Sequence, residues 1–201
     1  MRFSKLATLA VAVAMPVGVV SALGTAGVAS AGAPPDTGTV SCPGTNTTAT
    51  LTVPFVNGGT IAKKYATLLP GVTFSGCTGV GNAVTGGTSK ATSIKSKGSK
   101  TVPVNNCATF ATSPPAIGAF KLQITWSDGS KSKILMTGGA ANLALPGFTV
   151  NGTVSSGSFA GKSVVINATV DAPTLAAITA CIGGSHTPIP TLGLSTTIAI
   201  S

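Results

Sequence analysis

The chain has 201 residues, with twelve Lys and Arg against three Asp and Glu, a formal net charge of +9 and a single histidine. So few carboxylates argue against glycosidase-type chemistry, which needs two of them in reach of one another. An aromatic share of only 4 % leaves little for stacking nucleic-acid bases.

In chain order, residues 1–31 place Arg2 and Lys5 ahead of an apolar run that ends at Ala29-Ser30-Ala31. This is the pattern of a cleavable secretory signal peptide. Pro16, Gly18 and Ser21 interrupt the run, so it predicts export, with no transmembrane segment after cleavage, rather than a permanent anchor. The mature chain is expected to start near Gly32, with residues 32–39 a flexible lead-in and residues 40–201 a single domain. Beyond residue 31 there are ten lysines, no arginine and three aspartates, Asp36, Asp128 and Asp171. The mature protein is basic because it lacks acid.

Gly and Pro punctuation every eight to fifteen residues is the spacing of short strands. Strands are predicted at 48–55, 68–76, 99–104, 120–126, 131–136, 148–155, 163–170 and 194–201. The composition of 88–100, TSKATSIKSKGSK, suits a linker, but Ile94 and the flanking Val84 and Val102 equally allow two short strands meeting near Gly98 as a hairpin. Lys95 and Lys97 then share a strand face, whereas Lys90 and Lys100 have the other parity. In FKLQITWSDGSKSKILM, a two-residue turn would set Trp126 and Ile124 opposite lysines. A three-residue loop, Ser127-Asp128-Gly129 with Gly129 left-handed, sets them opposite Ser130 and Ser132 and turns Ile134 and Met136 inward. The outer face then collects Lys121, Lys131 and Lys133. One short helix is predicted in DAPTLAAITACIGG, with Asp171 before it, Pro173 near its start and Gly183 as its stop. The two prolines of SHTPIPTLG predict a loop after it.

Four cysteines in an exported chain predict two disulfides. Of the three possible pairings, Cys42 with Cys77 and Cys107 with Cys181 is favoured because it closes each half separately. No cysteine stands in a CxxC or beside the histidine, so neither thiol catalysis nor a zinc site is expected, nor any other metal or cofactor. A serine hydrolase would have to use His186, the sole histidine, oriented by Asp128 or Asp171, and there is no GxSxG. Asp128 and Asp171 are each explained locally, by a turn and a helix start.

The stretches GTVSCPG (38–44), VTFSGCTGV (72–80), ITWSDG (124–129), VSSGSFAGKS (154–163) and LAAITACIGG (175–184) resemble a group of secreted actinobacterial four-cysteine proteins, over nearly the whole mature chain. The resemblance implies an all-β antiparallel sandwich, Ig-like or related, and transfers no catalytic residue. The expected function is therefore a non-enzymatic secreted or cell-envelope-associated structural or binding module. Lysine-bearing faces (Lys95, Lys97, Lys121, Lys131, Lys133) would meet anionic envelope polymers or lipid headgroups. Nucleic acid is disfavoured by the missing arginines, and a monomer is expected unless a strand edge pairs. Two alternatives are a carrier of a small apolar ligand, marked by a cavity lined with Phe, Leu and Ile, and a hydrolase built on His186.

Overall fold

The structure, a computed structural model, describes residues 36–62, 64–81, 84–97, 103–112, 116–142 and 147–201. The expected signal peptide and residues 99–102 of one predicted strand lie outside the described residues. In chain order the elements are β1 (Val40–Pro43), β2 (Thr47–Phe55), β3 (Lys64–Leu69), β4 (Thr73–Ser75), β5 (Gly86–Ser89), β6 (Thr92–Lys97), α1 (Cys107–Thr112), β7 (Phe120–Trp126), β8 (Lys131–Asn142), β9 (Gly147–Gly157), β10 (Ser163–Val170), α2 (Ala172–Ile182) and β11 (Ile189–Ile200).

The strands among the described residues belong to one sheet, in the order β4-β5-β7-β8-β9-β10-β11-β2-β3-β6 with β1 off this path beside β11, and they pair antiparallel. The chain is therefore mostly antiparallel β, as expected, but its sheet is a curled half-barrel rather than two stacked layers. β11 explains the curl: its first half pairs with β2, and its last residues pair with β1, from Val40 opposite Ile200 to Pro43 opposite Thr197. β1 in turn reaches the far end of the strand path, where Ser41 and Thr78 exchange backbone hydrogen bonds of 2.7 and 2.9 Å. The Cys42–Cys77 disulfide staples that closure. At the other end, Ile117 bridges both Ser96 of β6 and Gly139 of β8.

Alternation along the strands puts apolar side chains inside the curl. On β11, Leu192, Leu194, Thr196, Ile198 and Ile200 are buried while the residues between them are exposed or half-buried. One apolar cluster gathers Ile124, Trp126, Ile134, Met136, Phe159 and Ile198; a second gathers Leu51, Phe55, Val104, Ile178, Leu192 and Leu194; and Phe148 packs against both. An apolar inside and a Lys/Ser/Thr-rich outside invert the pattern of a membrane-spanning barrel, whose apolar band faces outward. Among the described residues no helix is long and apolar enough to cross a membrane.

The β7–β8 hairpin has the expected three-residue loop. Ile124 stands opposite Ser132 and Thr125 opposite Lys131, and Gly129 has φ +84°. Ser132 is fully buried because its hydroxyl has two tasks. It accepts from the indole Nε1 of Trp126 at 2.8 Å and donates to the Ser158 carbonyl at 2.6 Å. The ring of Phe159 meets Trp126 edge-on, with centroids 5.4 Å apart. Phe159 is the one described non-glycine residue with positive φ, at 64°, a conformation held by burial and by its N–H donating to the Asp36 carbonyl. Asp36 and Thr39, within the predicted flexible lead-in, are thus tied down by backbone hydrogen bonds to Phe159 and Val80.

The helix predicted late in the chain is α2. Asp171 caps it by accepting from the Thr174 N–H at 2.9 Å, and Gly183 ends it. The Thr174 hydroxyl accepts from the Gly193 N–H at 2.9 Å, docking the helix start onto β11. Any side chain at Gly193 would collide with the Asp171 carboxylate. A second helix, α1, corrects the expectation of one: Asn106 Oδ1 accepts from Thr109 N–H at 3.1 Å to start it, and Cys107–Cys181 ties it to α2. Both disulfides follow the favoured pairing, and they fit an oxidising, extracellular setting.

Two strand expectations need correction. The predicted 68–76 strand is cut at Pro70-Gly71 into the end of β3 and all of β4. The turn expected near Gly98 lies outside the described residues; before it, the chain breaks at Lys90-Ala91 between β5 and β6, which do not pair with each other but with β7 and β3. The predicted loop at SHTPIPTLG is strand from Ile189 onward; Pro190 fits because the register with β2 shifts between Ile189 and Thr191, where a missing N–H breaks no ladder bond.

Candidate functional site

The outer face of the β7–β8 hairpin carries the exposed lysines. Gln123 stands opposite Lys133 and Lys121 opposite Leu135, so Lys121 and Lys133 are diagonal neighbours on one face. The corner between β5 and β6 folds along the first half of β7, which β5 leaves unpaired: Lys90 N–H donates to the Gln123 carbonyl at 2.9 Å, and the Thr92 hydroxyl to the Lys121 carbonyl at 3.1 Å. On the far side the Ser155 hydroxyl of β9 donates to the Lys133 carbonyl at 2.9 Å. Between these walls runs an open groove of about 490 Å³ in which Lys90, Lys121 and Lys133 are the charged side chains and no carboxylate takes part. The nearest acidic turn residue in sequence, Asp128, is occupied at the hairpin tip, where it accepts from Ser130 N–H.

Uncompensated ammonium groups around an open groove attract anions. A unit negative charge about 4 Å from one of them gains about 1 kcal/mol in water and up to about 4 kcal/mol at the effective dielectric of a protein surface. Of the five lysines expected to bind, the structure brings Lys121 and Lys133 together in this groove. Lys131 shares their face of β8, opposite Thr125, but stands outside the groove. Lys95 is exposed on β6 opposite Ala66, away from the groove, and Lys97 lies at the end of β6 opposite Lys64. The third groove lysine, Lys90, was not among those expected. It joins Lys121 and Lys133 because the chain turns at Lys90-Ala91 and docks there on β7.

Inside the curl, directly behind the same corner, lies a narrow apolar slot of about 40 Å³. Leu69, Ile94, Phe120, Leu122, Phe148 and Ile166 are among its lining residues, the Phe, Leu and Ile composition expected of an apolar-ligand carrier. One polar atom stands out: Thr196 is 8 % exposed and its Oγ1 has no hydrogen-bond partner in the protein. The slot and the groove share Lys90, Thr92 and Leu122 as walls.

His186 is exposed, on the segment between α2 and β11. Asp171 is engaged as the α2 cap, and hydrogen bonds from Thr174, side chain first and backbone second, hold its carboxyl below the usual range. Asp128 sits at the hairpin tip. Among the described residues no three His, Cys, Asp or Glu side chains gather as a metal site would require. Compared with family models, curated proteins and solved structures, the chain matches none.

Proposed function

We propose that this protein is a non-enzymatic binding module, secreted or associated with the cell envelope and akin to the secreted actinobacterial four-cysteine group, that holds phosphate- or carboxylate-bearing envelope components in the Lys90–Lys121–Lys133 groove. The observation that carries the reading is a groove of about 490 Å³ with three lysines and no carboxylate in its walls. Two disulfides that close the fold support an extracellular place of work.

The test uses soluble poly(glycerol phosphate) in one arm and vesicles with and without anionic lipid in the other, which separates polymer from headgroup. Binding should weaken steeply as salt rises from about 0.1 M to about 1 M, where the Debye length falls from about 10 Å to about 3 Å. Each of Lys90→Ser, Lys121→Ser and Lys133→Ser should cost roughly fivefold in affinity, the equivalent of about 1 kcal/mol. Lys95→Ser, outside the groove, should change nothing. Absence of binding to either probe at low salt, or full binding by the triple variant, would refute the reading. A carrier of a small apolar ligand stands as a second reading, favoured by the apolar slot behind the groove.

A further inference from the structure

From the shared wall of groove and slot, we infer that the ligand is an anionic amphiphile: its charged head lies on Lys90, Lys121 and Lys133, and the end of its alkyl chain enters the slot past the β5–β6 corner. The inference rests on the groove being the anion site. Two independent observations meet here. The groove offers positive charge without acid, and the slot offers an almost wholly apolar lining that shares three residues with it, Lys90, Thr92 and Leu122. An inorganic anion would use the first and leave the second empty, while a purely apolar molecule would do the reverse. A molecule with both parts uses the corner as its waist.

The dimensions limit the chain. A water-sized occupant takes roughly 10 to 15 Å³ on this measure, so about 40 Å³ admits roughly three carbon atoms. The head remains outside, because an ammonium-paired anion keeps its hydration in an open groove and would lose it in the slot. The chemical class is therefore a carboxylate or phosphate monoester with a short alkyl tail, or a longer amphiphile of which only the tip is inserted.

The experiment titrates the disulfide-bonded protein with inorganic phosphate and with straight-chain monoalkyl phosphates of increasing length, by calorimetry, beside poly(glycerol phosphate) as the probe of the groove alone. Affinity should rise about fourfold for each methylene that enters and level off after roughly three. Ala168, buried in the slot wall, provides the plug: Ala168→Leu should abolish the dependence on chain length while leaving poly(glycerol phosphate) binding intact. Ile94→Ala, which widens the slot, should move the plateau to longer chains, and unchanged Trp126 fluorescence would show that either variant is folded. Lys90→Ser should weaken every phosphate in the series by a similar factor. If alkyl phosphates bind no better than inorganic phosphate while poly(glycerol phosphate) still binds, the amphiphile inference fails and the groove reading survives. If chain length matters but Lys90→Ser and Lys121→Ser have no effect, the link between slot and groove fails. If neither probe binds, both readings fail together.

Discussion

Replacing Ser132 with alanine tests whether the interior is held by one hydroxyl. The side chain is fully buried, receives the Trp126 indole hydrogen at 2.8 Å and gives its own to the Ser158 carbonyl at 2.6 Å. Ser132→Ala therefore strands a buried donor and a buried acceptor at once. Each stranded group costs about 1 to 3 kcal/mol, so a combined loss of about 2 to 6 kcal/mol is expected, a large part of the roughly 5 to 15 kcal/mol that holds a domain together. The chain has a single tryptophan, and it is the residue that loses its partner, so urea unfolding followed by fluorescence reads the transition at the site itself. Ser155→Ala is the control: its hydroxyl donates to a carbonyl at the surface, and its removal should stay within about 0.5 kcal/mol. A loss below about 1 kcal/mol for Ser132→Ala, or a loss no larger than that of the control, would refute the argument that this hydroxyl satisfies both groups.

Three more predictions follow from the same kind of accounting. Opening Cys107–Cys181 by double alanine substitution releases a loop of 74 residues and opening Cys42–Cys77 one of 35; loop-closure entropy assigns losses of about 4.4 and about 3.8 kcal/mol, and chemical denaturation showing the shorter loop as clearly the more costly would reverse the ranking. Thr196→Val removes the unpartnered buried hydroxyl and should raise stability by about 1 kcal/mol; a comparable loss in thermal unfolding would show that the hydroxyl is in use. For Asp171, whose carboxyl is held below its ordinary value of 3.8 by the Thr174 hydrogen bonds, the stabilisation is present above that value and disappears as pH falls through the lower folded-state value. The gap in melting temperature between the protein and Asp171→Ala should therefore close on acidification, and a gap independent of pH would contradict the capping role.

What could be read without the structure was local. The three-residue loop at Ser127-Asp128-Gly129 followed from which face would otherwise bury Lys131 and Lys133. The helix α2 followed from Asp171, Pro173 and Gly183, which bracket a run of good helix formers. These signals lie within a dozen residues of what they determine. α1 was hidden because six residues are too few for a helix to hold by themselves; it depends on the Asn106 cap and on a disulfide to Cys181, 74 residues away. The start of β11 was hidden by Pro188 and Pro190, because a proline forbids a ladder bond only where one is needed, and the register shift with β2 is a long-range fact. The same reasoning applies to the site. Lys121 and Lys133 were legible from strand parity, whereas Lys90 entered the groove through the docking of a chain corner on β7, which depends on strand order. The single curled sheet depends on β11 serving β1 and β2 in succession, and nothing in the local pattern of either strand announces that.

The crossing of Ile117 over Ser96 and Gly139 has a consequence for how this chain behaves in company. A sheet that ends in a free strand is a template on which another chain can crystallise its own backbone. Here the β6 end of the path is engaged by Ile117 and by the Gly118 N–H, which donates to the Lys95 carbonyl at 3.0 Å, and the β4 end is met by β1. Gly118 and Gly138 permit the crossing, since a β-carbon at Gly118 would press on the Lys95 carbonyl and one at Gly138 on the Ile117 carbonyl. The protein has thus used its own spare segments to occupy positions that a stranger's strand would otherwise take, and a substitution as small as Gly118→Val, by lifting that segment away, would expose an adhesive margin.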